Sequence, residues 1–145
     1  IFSNLGAFGV ISLISSETGR ESIDDYKGLY KTNPMLGWVL ALSLFSLAGI
    51  PPTAGFFGKI FLLTAGAAKG NYLLITIASL NMIVSLYYYL RVIRAVFMDS
   101  NENAIEPIKS QTSFKLAIIL CVAGILVTGF ANGLYEYILS LSHGM

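Results

Sequence analysis

Charged residues cut this chain into four apolar stretches separated by polar ones. The first, about residues 1–16, carries no charge from Ile1 to Ile14 and falls short of the roughly 20 residues a membrane-spanning helix needs. A polar segment from Ser15 to Asn33 follows, with Glu17, Arg20, Glu21, Asp24, Asp25, Lys27 and Lys31. Inside it, Ser22 with Asp25 three residues on is a helix-start pattern, and Ile23, Tyr26 and Tyr30 recur at helical spacing. These positions predict a short amphipathic helix at a membrane surface. The remaining apolar stretches are 34–68, 72–96 and 114–141. Between the last two, the polar segment Asp99 to Ser113 contains Pro107 and predicts a surface loop.

The second stretch is too long for one straight span. A straight helix over residues 34–68 covers about 50 Å at 1.5 Å per residue, against a hydrocarbon core of about 30 Å. In its middle lies Gly49-Ile50-Pro51-Pro52-Thr53. A proline pair removes two backbone donors and clashes with the preceding turn, and carbonyls freed at membrane depth need partners from protein or trapped water. A jog or unwound stretch there reconciles the lengths. Gly49, Pro51, Pro52 and Thr53 are therefore the candidate break residues, with the Thr53 hydroxyl available to a freed carbonyl or a water. A simple packing kink is the plain alternative. Gly55 and Gly58 nearby add weight to a functional break, of the kind in which half-helix ends line ion sites.

Composition settles the broad class. The chain is 55% hydrophobic and only 12% charged, against roughly 25% charged in a soluble domain; this predicts an integral membrane protein. The formal net charge of +1 and the absence of a basic block argue against nucleic acid as a partner. Cys121 is alone, so it offers neither a disulfide within the chain nor a zinc site and reads as a small packing residue. Because Ile1 already belongs to an apolar run, the chain is expected to be the C-terminal piece of a longer protein. Arg20, Lys27, Lys31, Arg91, Arg94, Lys109 and Lys115 flank one set of loops, while only Lys69 lies on the other side. That asymmetry places the two long loops in the cytoplasm and the C-terminus on the non-cytoplasmic side. The predicted fold is thus all-α: four transmembrane helices, the second discontinuous at Pro51-Pro52, plus a short cytoplasmic amphipathic helix.

Lys59 is the only charge between Lys31 and Lys69. One reading is a lysine that snorkels to an interface. Lys69 already marks that boundary, which favours a lysine held inside the membrane, where insertion alone costs about 2.5–3.5 kcal/mol. Loss of water disfavours the charged form of an amine, and a nearby cation disfavours it further, so such a lysine can load and release a proton. In the third stretch, Asn81, Ser85 and Tyr88 share a helix face by spacing; they form either a polar path or ordinary packing groups near an aromatic belt. In the fourth, Thr128, Asn132 and Glu136 recur every four residues, and Gly129 with Gly133 permits close helix approach. Packing explains that stripe, and Glu136 is a further candidate for proton exit. No phosphate-binding glycine loop, metal-ligand spacing or nucleophilic triad is present in the sequence.

The run Leu44-Phe45-Ser46-Leu47-Ala48-Gly49-Ile50-Pro51-Pro52-Thr53-Ala54-Gly55-Phe56-Phe57-Gly58-Lys59 resembles the broken-helix motif of the antiporter-like membrane subunits of respiratory complex I (NADH–quinone oxidoreductase), and among them the subunit N group, called subunit 2 in organelles. Ser85-Leu86-Tyr87-Tyr88-Tyr89-Leu90-Arg91 and Ser3-Asn4-Leu5-Gly6-Ala7-Phe8 are similar to the helices on either side. The resemblance implies that residues 1–145 are the C-terminal part of one antiporter-like transmembrane domain in a bacterial inner membrane. It implies that Lys59 is the proton relay of an outward half-channel, driven by quinone reduction elsewhere. NADH, flavin, iron–sulfur clusters and quinone would belong to other subunits, with no cofactor bound by this chain. Its partners would be other membrane subunits of the complex, the N-terminal remainder of its own subunit, and the lipid bilayer.

Three alternatives stand beside this one. A membrane subunit of a multisubunit sodium/proton antiporter has a similar broken helix. A solute-binding secondary transporter would need a convergent polar pocket, for which the sequence offers little. A structural membrane scaffold leaves Lys59 without a purpose.

Overall fold

A computed structural model describes the backbone of residues 1–51, 53–109 and 111–143, and the side chains of these except Ala54 and 132–143. Among the described residues the regular structure is helical throughout. Helix α1 spans Phe2–Thr18, α2 Leu29–Thr32, α3 Pro34–Ala48, α4 Ala54–Ala68, α5 Tyr72–Phe97 and α6 Thr112–His143, with a 3-10 turn at Ile23–Tyr26. Pro34 occupies the first turn of α3, where a missing N–H costs nothing and the fixed φ favours the helix. Helix α1 stops at Gly19, whose φ of 67° is left-handed and whose N–H returns to the Ser15 carbonyl.

Helix α5 and residues Thr112–Ala131 of α6 are long and apolar enough to cross a membrane. Helices α3 and α4 have 15 residues each, or about 22 Å at 1.5 Å per residue, and neither reaches across a ~30 Å core alone. The packed core lies where α1, α3, α5 and α6 converge: Val10, Ile14, Leu40, Val96, Ile118 and Ile125 are all buried there. At the other end of α1, the Phe2 ring fills the notch that Gly124 leaves on α6.

The polar segment after α1 departs from the amphipathic helix expected there. The helix-start pattern forms: the Ser22 N–H donates to Asp25 Oδ2 at 3.1 Å as part of a capping box. The turn ends within four residues, because Gly28 takes a left-handed φ of 75° and its N–H donates to the Ala95 carbonyl of α5. That reversal drives Leu29 and Tyr26 into the core and leaves Ile23 and Tyr30 more than a third exposed. Tertiary packing thus breaks one helix into two short pieces.

The Asp99–Ser113 loop is also less superficial than its polarity suggests. Ile105 is buried at 1% exposure. Asn33, itself buried, holds the loop down: its amide donates to the Glu106 carbonyl at 3.1 Å, and its Oδ1 accepts from the Ile108 N–H at 2.8 Å. One asparagine therefore satisfies backbone groups of a strandless loop that would otherwise be stranded away from water.

Candidate functional site

The end of α3 explains the need for a partner beyond its own backbone. The Gly49 N–H donates to the Ser46 carbonyl and the Ile50 N–H to the Phe45 carbonyl, the paired bonds that close a helix over a left-handed glycine. Gly49 has φ 80° and ψ 44°. In a continuing helix, the carbonyls of Leu47 and Ala48 would accept from residues 51 and 52. Both are prolines and have no N–H to give. Two carbonyls thus face forward at the negative end of the helix dipole.

Lys59 supplies the missing donor. Its Nζ donates to the Ala48 carbonyl at 2.7 Å, from the second turn of α4. The side chain reaches that carbonyl by lying across Gly49: a methyl group there would sit 2.7 Å from Lys59 Cδ and 3.2 Å from Nζ. Helix α4 begins beside the last turn of α3, with Gly55 so close to the Ser46 carbonyl that any Cβ would collide with it. Thr53 is buried, and its hydroxyl donates to the Ile50 carbonyl at 2.7 Å, so the linker folds into a compact turn. Pro52 lies outside the described residues.

Against this arrangement lies an open cavity of about 280 Å³, lined by Ile50, Pro51, Phe56, Lys59, Met82 and Leu86 among others. Its walls are apolar apart from the amine. A charged ammonium there is held by a carbonyl and a helix end, with a cavity large enough for several waters beside it.

The α5 candidates do not line the cavity beside Lys59. On α5 the cavity meets Met82, Ile83 and Leu86. Asn81 and Tyr88 are exposed and Ser85 is half-buried; at about 100° per residue Asn81 and Tyr88 face away from the cavity side of that helix and Ser85 lies at its flank. Thr128 is satisfied inside α6 by the Gly124 carbonyl at 2.6 Å. The side chains of Asn132 and Glu136 lie outside the described residues. Cys121 is a buried free thiol.

Sequence reading passed over a set of hydroxyls behind the break. Ser3 Oγ of α1 donates to Ser46 Oγ of α3 at 2.7 Å, and both Ser43 and Ser46 are fully buried. Among the described residues Ser43 Oγ has no hydrogen-bond partner, and it sits in the notch left by Gly6 of α1. Their signal was a pair of serines three residues apart in an otherwise apolar helix, which places both on one face.

A family model for the transmembrane proteins of NADH:quinone oxidoreductases and Mrp antiporters matches residues 1–85. That stretch holds α1, α3, α4 with Lys59, and half of α5. The chain belongs to this family. Membership makes it part of a multi-pass membrane protein. This family member is 49% identical over 137 residues to the NADH-quinone oxidoreductase subunit N of Phocaeicola vulgatus, covering 94% of the chain and 29% of that protein. It is 44% identical to the subunit N of Azobacteroides pseudotrichonymphae, covering 100% of the chain and 31% of that relative. A structure of respiratory complex I from Thermus thermophilus with bound aureothin contains a similar chain. The TM-score is 0.75 at 29% identity, covering 92% of this chain and 31% of that one. The chain therefore spans under a third of the length of the relatives it matches.

Proposed function

We propose that this chain is part of a proton-translocating membrane subunit of an NADH:quinone oxidoreductase, and that Lys59 is the protonatable relay of its outward half-channel. The observation that carries this reading is the hydrogen bond from Lys59 Nζ to the Ala48 carbonyl, across a helix end that two prolines leave open. A charge-assisted hydrogen bond contributes about 1.5–3 kcal/mol, comparable with the insertion cost of a lysine at mid-membrane. The ammonium is therefore tolerated but closely balanced. A cation arriving from the remainder of the subunit would tip that balance and release the proton, and its withdrawal would allow reloading.

The relatives named as oxidoreductase subunit N favour this reading over the antiporter branch of the same family. The Lys and Arg distribution supports cytoplasmic long loops and an outward C-terminus in a bacterial inner membrane. NADH, flavin, iron–sulfur clusters and quinone would reside in other subunits, which would also be the partners of this one.

The test is made in the intact complex. Lys59→Ala should reduce proton pumping and the quinone reductase activity coupled to it while the complex still assembles. Lys59→Arg should restore the charge but not the pumping, because guanidinium stays protonated at accessible pH. Normal pumping in the alanine variant would refute the relay, and full activity in the arginine variant would make Lys59 a fixed electrostatic element. Pumping that requires sodium would favour the antiporter branch.

A further inference from the structure

We propose that the cytoplasmic end of α5 forms a binding site for one anionic phospholipid, whose phosphate diester sits between Arg91, Arg94 and Lys27 and whose acyl chain follows α5 into the membrane. A groove of about 540 Å³ lies there, lined by Ile23, Asp24, Lys27, Tyr87, Arg91 and Arg94 among others. Leu80, Val84, Tyr87, Arg91 and Arg94 follow one another by four, three, four and three residues, which places them on a single stripe of the helix. Leu80, Val84 and Tyr87 are each more than half exposed. The stripe is thus apolar over two turns and then cationic over one, the shape of an amphiphile lying along a helix.

The charges in the groove are unevenly spent. Lys27 pairs with Asp24 at 2.7 Å. Arg94 reaches Asp99 only at 3.6 Å and is 71% exposed. Arg91 makes no ion pair among the described residues. Three cations face two carboxylates, and the two arginines stand one turn apart on a helix whose apolar window is left unburied by this chain. Planar guanidinium groups match phosphate oxygens in geometry, and basic pockets at the cytoplasmic face of transmembrane helices suit anionic headgroups. A zwitterionic lipid offers the same diester but brings a further cation into a groove whose cations already outnumber its carboxylates, and a free phosphate would leave the apolar stripe uncovered.

The test uses the intact complex in phosphatidylcholine nanodiscs with or without phosphatidylglycerol, with retained lipid counted by native mass spectrometry. The wild type should hold one more phosphatidylglycerol than Arg91→Gln/Arg94→Gln, whose affinity should fall about 30-fold, since each arginine near the membrane surface contributes about 1 kcal/mol and 1.4 kcal/mol is tenfold. Arg91→Lys/Arg94→Lys should retain most of the binding, and inorganic phosphate should not displace the lipid. Equal retention in the glutamine variant, or complete displacement by phosphate, would overturn the site. A photoreactive Tyr87→benzoylphenylalanine substitution in the otherwise native complex gives a second reading that does not depend on the arginine variants. Cross-linking to lipid supports the proposal; cross-linking to a neighbouring polypeptide overturns it.

Discussion

Gly49→Ala is the perturbation that bears most directly on how the helix break and Lys59 depend on each other. It has two costs. The backbone at residue 49 is left-handed, φ 80° and ψ 44°, which disfavours an L-residue by about 1–2 kcal/mol. The added methyl would also lie 2.7 Å from Lys59 Cδ and 3.2 Å from Nζ, so the lysine must lift away. The charge-assisted bond to the Ala48 carbonyl then lapses, a loss of about 1.5–3 kcal/mol. Together these predict a destabilisation of about 2.5–5 kcal/mol. Gly19→Ala is the matched control, because Gly19 has a φ of +67° and no neighbour within 4 Å of the site of the new methyl. It carries the backbone cost alone. The assay compares proton pumping per quinone reduced in the two variants, together with the thermal stability of the purified complex. Gly49→Ala should lower the pumping ratio and Gly19→Ala should not. Placing Gly49→Ala on a Lys59→Ala background should recover the part of the cost that comes from the lysine, a coupling of about 1.5–3 kcal/mol. Additive stabilities in that cycle, or an unchanged pumping ratio in Gly49→Ala, would refute the link between the left-handed glycine and the seat of the amine.

Asn33→Ala strands the Ile108 N–H and two loop carbonyls; it should cost about 1–3 kcal/mol and speed protease cleavage in the loop after α5, and an unchanged cleavage rate would count against Asn33 as its anchor. The Tyr26 hydroxyl is buried and has no partner among the described residues, and burial, with the charges of Glu21 and Asp25 adding to it, pushes its phenol above the ordinary range. Its contribution to stability is intact below the unfolded value of about 10 and is lost as pH rises through the higher folded value. Tyr26→Phe should therefore leave stability unchanged or raise it and remove part of the alkaline loss; clear destabilisation at neutral pH would reveal an unrecognised partner for the hydroxyl.

Much of the architecture was legible before any coordinates. The proline pair identified where the long apolar stretch cannot remain one helix, since two absent N–H groups are a property of residue type alone. Its place as the only charge between Lys31 and Lys69 singled out the Lys59 amine. The partner of that amine was not legible. It is a backbone carbonyl eleven residues earlier, brought within reach because α4 begins beside the last turn of α3 with Gly55 pressed to Ser46. Periodicity grouped Asn81, Ser85 and Tyr88 on one face of α5, yet it carries no information on which way that face turns; Met82 and Leu86 line the cavity beside the lysine instead. The amphipathic helix expected after α1 fails for a similar reason, since the bond from Gly28 to Ala95 of α5 outweighs local propensity. Residue chemistry by itself determined the membrane class and singled out the proline pair and Lys59. Only tertiary structure decided what each of these touches, because hydrogen bonds to carbonyls and the orientation of a helix face depend on neighbours distant in sequence.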